Sequence, residues 1–322
     1  MKLGILLTTE HRLLSVAAML DVFQTVNRFY EEANLEPFFE INLLHSHDRN
    51  LSAYSDCKVS VPNPDDTFDI ILIPAFKPEA MPMLLSQNLD WIPWLQHQYA
   101  KGANLASFCT GAFLLASTGL LDGKPATTHI NAEYAFASAF PKVLIHSDAV
   151  VTEKDRIFTS GGATNSFHLM IYLIEKCCNR AIAVRTAKIF SVDIDRKQQT
   201  YFGTFLPIED HGDALVKQAQ TEIRKHFRQA NTIEQIIVDV PASRRNLVRR
   251  FKQATGITPI EYLQKTRIEA AKTSLEQSRQ SILEVMLDSG YNDLKSFRML
   301  FKKNVGMTPT AYRDKFNAHA AL

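Results

Sequence analysis

Through the first two-thirds of the chain, short apolar runs alternate with stretches of helical spacing. LGILLT (Leu3–Thr8), FEINLLH (Phe39–His45) and DIILIPAF (Asp69–Phe76) have strand length, and the last ends in a proline-led loop, as a buried parallel strand does. ANLASFCTGAFLLASTGLL passes from a strand (Ala103–Ser107) through a sharp turn into a helix, and RIFTSGG (Arg156–Gly162) closes a further strand on glycines. Between them, Met19, Val22, Phe23 and Val26 recur at helical spacing within a helix from Ser15 to about Glu31, and another helix is expected from Ser166 to about Cys178. This alternation predicts a flavodoxin-like, doubly wound α/β sandwich. After about Ser191 the period is lost in polar residues and breakers, and from Asp213 onward the pattern is almost wholly helical. The division expected is a first domain over 1–195, a linker over 196–215 and an all-α domain over 216–322.

The helical part contains a repeat with an offset of 50 residues. Phe251 matches Phe301, Lys252 matches Lys302, Gly256 matches Gly306, Thr258-Pro259 matches Thr308-Pro309, and Tyr262 matches Tyr312. Glu234 pairs with Glu284 on the same offset, as do Ile236 with Met286, Ile237 with Leu287, and Leu247 with Phe297. Each copy reads as a short helix (Ile233–Asp239; Ser281–Asp288), a tight turn and a second helix (Arg244–Thr255; Leu294–Val305). Ser243 and Asp293 are the expected N-caps, and Gly256 and Gly306 the stops. Helix, tight turn, helix is the helix-turn-helix unit.

The second helix of each copy has a cationic face. Leu247 and Phe251 point to a core while Arg245, Arg249 and Lys252 point out; Phe297 and Phe301 point in while Lys295, Arg298 and Lys302 point out. Long donors on a helix in the major groove read guanine O6 and N7, and residues further along, such as Arg250, Lys302 and Lys303, are expected at phosphates. A continuous helix over Pro259–Gln277 would hold the two units apart, as engaging successive major-groove faces ~34 Å apart requires.

Composition supports this picture. The chain has 322 residues, 46% hydrophobic and 22% charged, which excludes wholesale disorder. Residues 1–205 carry 17 Lys and Arg against 21 Asp and Glu, a balance of −4, whereas residues 206–322 carry 19 against 13, a balance of +6. The basic half is the one expected to meet a polyanion. No apolar run nears the ~20 residues of a spanning helix, and the N-terminus reads as a strand rather than a signal peptide, so a cytoplasmic location with no membrane contact is expected. Cys57, Cys109, Cys177 and Cys178 show no CxxC spacing, so neither a disulfide framework, a metal site nor a cofactor is expected.

The segments RRFKQATGITPIEYLQKTRIEAA and GYNDLKSFRMLFKKNVGMTPTAYR resemble the AraC/XylS family of transcription regulators over about the last 100 residues. The resemblance implies two helix-turn-helix motifs on one long helix and a double-stranded promoter site as partner. It places base contacts at Arg245, Val248 and Arg249 in the first unit and at Leu294, Lys295, Arg298 and Met299 in the second. Arg244, Lys252 and Lys302 complete the expected DNA-facing set. The strand–turn–helix at SFCTGAFLLASTGLL resembles the nucleophile elbow of the class I glutamine amidotransferase-like and PfpI-like fold, with Cys109 at the elbow and LLDGKPATTH bringing His129 beside it. The combination is similar to the GlxA type of regulator. It implies a homodimer and a domain that dimerises or senses a small metabolite, at a pocket of Cys109, Thr110, His129, Ala75 and Phe76. The alternative it leaves open is a PfpI-like cysteine enzyme, hydrolase or glyoxalase-like, with a DNA-binding appendage. Against that, the loop Pro74-Ala75-Phe76 lacks the glycine of an oxyanion loop, and the acid expected near Ser15 is absent, Asp21 lying a turn and a half further on.

Overall fold

Among the described residues, six strands of the first 160 positions lie parallel in one sheet, and four of them are followed directly by a helix, as a crossover connection between parallel strands requires. The computed structural model describes residues 1–46, 58–63, 65–77, 81–162, 164–194, 203–205, 207–229 and 232–317. Cys57 and residues 196–202 and 206 of the expected linker lie outside them. The chain divides into two compact units, Met1–Gln199 and Thr200–Leu322.

The first unit runs β1 (Lys2–Leu6), α1 (Leu13–Glu32), β2 (Glu40–Leu44), β3 (Lys58–Ser60), β4 (Ile70–Ile73), α2 (Met81–Ser86), α3 (Trp91–Ala100), β5 (Asn104–Phe108) and α4 (Ala112–Ser117). It continues with β6 (Pro125–Ala126), α5 (Glu133–Ala139), β7 (Leu144–Ile145), β8 (Val151–Lys154), β9 (Ile157–Ser160), α6 (Asn165–Cys177) and α7 (Arg180–Ile189). The main sheet has the order β3-β2-β1-β4-β5-β9-β8, parallel except for the antiparallel edge strand β8. One face buries Val16, Met19 and Phe23 of α1 with Leu169 and Leu173 of α6. The other buries Leu95 of α3, Phe113 and Leu114 of α4, and Phe136 of α5. Helices therefore cover both faces, as the doubly wound expectation requires. The expected strands ran longer at their carboxyl ends: Leu7-Thr8 and Pro74–Phe76 have left the sheet, and those ends build the Cys109 turn.

The second unit is all helical: α8 (Ala214–His226), α9 (Ile233–Ile236), α10 (Arg244–Thr255), α11 (Pro259–Gln277), α12 (Ile282–Asp288), α13 (Leu294–Val305) and α14 (Pro309–Phe316). Local chemistry sets the boundaries. Ser243 Oγ accepts from the Asn246 amide and an Asp293 carboxylate oxygen from the Ser296 amide, while Gly256 (φ 79°) and Gly306 (φ 85°) end α10 and α13 in the left-handed region open to glycine. Thr258 and Glu261 cap α11 reciprocally, with Pro259 at its first turn; Thr308 and Pro309 open α14 in the same position.

The first helices correct the uniform offset. The capping boxes are Thr232 with Gln235 and Ser281 with Glu284, so Gln235, not Glu234, is the counterpart of Glu284. From cap to cap the second copy is one residue longer, and Gly290 (φ 81°) takes the turn that Val240 and Pro241 take in the first. The apolar pairs shift with it: Ile236 and Val285 are buried equivalents, while Leu287 is 53% exposed. Helix α9 is a single turn, shorter than the Ile233–Asp239 expected, because the chain turns at Ile237 ahead of Pro241.

Candidate nucleic-acid interface and the Cys109 turn

Helix α10 presents the cationic face that its spacing predicts, but its arginines differ in what holds them. Leu247, Phe251 and Thr255 are buried, Val248 is half-buried, and Arg244, Arg245, Arg249 and Lys252 are exposed. Arg244 pairs with Glu234 at 2.8 Å, and Arg249 Nη2 donates to Asn246 Oδ1 at 3.2 Å. Arg245 and Lys252 form no salt bridge among the described residues. Arg250, expected at a phosphate, is instead paired within the protein: its Nε and Nη2 grip both oxygens of Asp213 at 2.8 and 2.9 Å, and that fork holds the Asp213 carboxyl below the usual carboxylate range. Asp213 also accepts from the Val216 amide as the N-cap of α8, so Arg250 fastens α10 to α8.

Helix α13 is the less encumbered of the two. Lys295, Arg298, Lys302 and Lys303 are exposed and form no salt bridge among the described residues, and Met299 is 64% exposed between them. Leu294 is half-buried and packs against Phe297, Phe301 and their neighbours, so it presents less surface than the resemblance implies. Asn246, which steadies Arg249, was not among the expected site residues; only its place three residues before Arg249 on one helix could have flagged it.

The two helices share one scaffold. Helix α11 supplies Tyr262 and Leu263 to the α8–α10 core, Tyr262 meeting Phe251 edge-on with ring centres 5.4 Å apart. The same helix supplies Ile268, Ala271 and Leu275 to the α12–α14 core, where Tyr312 meets Phe301 at 5.6 Å. The repeat is thus visible in three dimensions as two like aromatic pairs.

In the first unit, β5 ends at a turn in which Cys109 has φ 56°, a left-handed conformation that costs a non-glycine residue of order 1–2 kcal/mol. Cys109 is 5% exposed, and its carbonyl accepts from Thr128 Oγ1 at 2.9 Å, which binds the turn to the segment carrying His129. Gly111 lets the start of α4 sit on β4: a Cβ there would lie 2.6 Å from the carbonyl oxygens of Ile73 and Pro74. The imidazole of His129 packs against Gly162, where a Cβ would come within 2.2 Å of its Cδ2. His129 Nδ1 accepts from the Asn131 amide, which leaves Nε2 to carry the ring proton, and burial, with Arg12 nearby, holds the pKa below the usual histidine value. His129 is therefore a neutral imidazole at pH 7.

The loop beside this turn is chemically committed. The Ala75 amide donates to Ser15 Oγ at 3.1 Å, and the Phe76 amide donates to Thr110 Oγ1 at 2.8 Å, while Thr110 returns its proton to the Phe76 carbonyl. Neither amide is left to stabilise an oxyanion. Asp21 is exposed on α1. Of the expected pocket residues, Ala75, Phe76, Cys109 and Thr110 are buried and only His129 is half-buried. A cavity of about 310 Å³ lies elsewhere in the unit, between β8 and α6, lined by Val150, His168, Ile171, Tyr172, Val192 and Ile194. Cys109, Cys177 and Cys178 are thiols rather than half-cystines, and no cluster of three metal-ligating side chains occurs among the described residues. No helix among them is long and apolar enough to cross a membrane.

Residues 42–176 match the model of the DJ-1/PfpI family, and residues 239–315 match that of a helix-turn-helix domain. The HTH-type transcriptional regulator GbdR of Pseudomonas aeruginosa is 27% identical over 71% of this chain and 62% of its own length. The HTH-type transcriptional regulator CdhR of the same species is 26% identical over 69% of this chain and 66% of its own length. The chain thus spans somewhat under two-thirds of the length of these two curated relatives. The xylose operon regulatory protein of Escherichia coli is 35% identical over 32% of this chain and 26% of its own length. The matched segments fall on the sheet unit that holds Cys109 and on the helices that carry the two cationic faces: this chain joins a DJ-1/PfpI-family domain to an AraC-type helix-turn-helix domain.

Proposed function

We propose that the protein is a sequence-specific DNA-binding transcription regulator, in which α10 and α13 enter successive major grooves of one duplex. The observation that carries this is the pair of capped, cationic second helices on one shared helix, with Arg245, Lys295, Arg298 and Lys302 outside any salt bridge of the described residues. Arg245, Val248 and Arg249, then Lys295, Arg298 and Met299, are assigned to base edges; Arg244, Lys252 and Lys302 to the flanking backbone, with Leu294 at the margin. The names of the relatives favour the same reading. In a gel-shift assay the full chain should retain duplex DNA in a salt-sensitive way, and Arg245→Ala with Arg298→Ala should abolish sequence-selective retention. Unchanged selectivity in that double variant would refute the assignment.

The DJ-1/PfpI-type domain is assigned a sensing or dimerising role in the cytoplasm, any effector being a small molecule. The β8–α6 cavity favours an effector site there over the closed surroundings of Cys109. The cysteine-enzyme reading draws on the Cys109 backbone conformation. The commitment of the Ala75 and Phe76 amides weighs against it, and so we assign no catalysis. Iodoacetamide at neutral pH should label Cys109 no faster than Cys177 or Cys178, with Cys109→Ser as control. Fast, selective labelling of Cys109 would restore the enzyme reading.

A further inference from the structure

Helix α11 touches both helix-turn-helix units, but a helix 19 residues and ~28 Å long is not by itself a fixed angle. At a separation of ~34 Å, a bend of roughly 6° moves the far recognition helix by ~3.4 Å, one base-pair step. Something beyond α11 must set the angle if the chain is to accept one spacing.

Arg267, midway along α11, lies where the two helix-turn-helix halves of the helical unit meet. Its Nε donates to the carbonyl of Phe227 and its Nη2 to the carbonyl of Gln229, both at 2.8 Å, at the carboxyl end of α8, which packs with the first helix-turn-helix. The same guanidinium lies over the ring of Tyr291, 5.5 Å from its centre, in the core of the second unit. Gly290, in the turn of the second unit, abuts the same place: a Cβ there would fall 2.2 Å from the Phe227 carbonyl oxygen and 2.9 Å from Arg267 Nε. The turn of one unit thus rests directly on the helix end of the other, with Arg267 filling the joint.

The repeat shows what is distinctive here. The residue 50 positions on is Asn317, whose Nδ2 donates to the carbonyls of Leu275 and Ser278 at 2.7 and 2.9 Å, at the carboxyl end of α11. Both side chains cap the helix that opens their own unit. Arg267 has the longer reach and, besides capping, also contacts the neighbouring unit.

We propose that Arg267 is a positioning residue that sets the angle between the two helix-turn-helix units, and through it the half-site spacing the protein accepts on DNA. The proposal rests on the DNA-binding reading above. The test uses the full chain. A two-part site is selected from a random-sequence duplex library, and affinity is measured with the half-sites moved closer or further apart by one and two base pairs. A one-base-pair change should weaken the wild-type protein roughly a hundredfold and Arg267→Gln less than about threefold. Arg267→Lys, which keeps the charge but not the fork, should fall between them. If Arg267→Gln loses affinity by the same factor at every spacing, or keeps the wild-type spacing preference, the proposal is overturned while DNA binding stands. If the wild-type chain selects no sequence, the DNA-binding reading itself fails and takes the proposal with it. Should Arg267→Gln not fold, Gly290→Ala perturbs the same joint from the other side; a broadened spacing profile supports the proposal and an unbroadened one overturns it.

Discussion

Arg249 and Arg250 are adjacent arginines on one helix, and the structure predicts that their loss will register in different assays. Arg249 is exposed, held by Asn246 Oδ1 at 3.2 Å, and one turn beyond Arg245. If its fork reads a guanine, Arg249→Ala removes a bidentate contact of ~1–3 kcal/mol, or roughly 5- to 150-fold in affinity for the selected site. The loss should vanish on duplexes with that base pair changed. A phosphate contact instead would weaken all sequences alike and reduce the slope of log K against log salt by ~0.9. The Arg249→Ala melting curve should overlay the wild type, since an exposed substitution of this kind stays within ~0.5 kcal/mol. Arg250 has both donors on Asp213, which also caps α8. Arg250→Ala should lower the Tm of the helical unit and leave selectivity among sites intact, and Asp213→Asn should lower it similarly. Equilibrium binding by fluorescence anisotropy and melting by circular dichroism separate the two outcomes. Should Arg250→Ala lose site selectivity as Arg249→Ala does, with its melting unchanged, the inward assignment of Arg250 is refuted.

Phe301 is fully buried against Tyr312, so Phe301→Ala should cost ~3–5 kcal/mol, a large part of a domain's typical ~5–15 kcal/mol, measured by urea unfolding; a loss under ~1 kcal/mol would contradict the packing. His129 titrates below its ordinary value, so in its usual range near 6.5 the unfolded chain takes up a proton that the folded chain resists. Its contribution to stability is complete above that range and declines as pH falls through it. His129→Gln should flatten the loss of stability between neutral and mildly acid pH, and an unaltered pH profile would contradict the neutral imidazole.

The boundaries of α10, α11 and α13 were readable residue by residue because caps, prolines and left-handed glycines are local devices: Ser243, Thr258 and Asp293 act within three residues. The first helices were misaligned by one because the extra residue lies in the second turn, and an apolar residue one place along still looks apolar; Leu287 and Met286 differ only in which way they face. Helical spacing put Arg250 on an outward face, but its partner, Asp213, lies 37 residues upstream, and no period reports on that. The doubly wound sheet was legible from its central strands, whereas β8, with Glu153 and Lys154 in four residues, carries too little apolar signal to read as an edge. The elbow at Cys109 was legible as a turn. That Thr110 and Ser15 consume the neighbouring amides could not be seen before the loop and helix were brought together.

Because α11 is a wall of two cores at once, neither half of the helical unit has a complete interior without it. A protease cut or a helix-breaking proline between Tyr262 and Leu275 would strip both interiors together, so the half-units should melt as one cooperative body and never survive as separate fragments. Evolution could therefore alter the groove-facing side chains of either copy independently, but not the rod on which both were built.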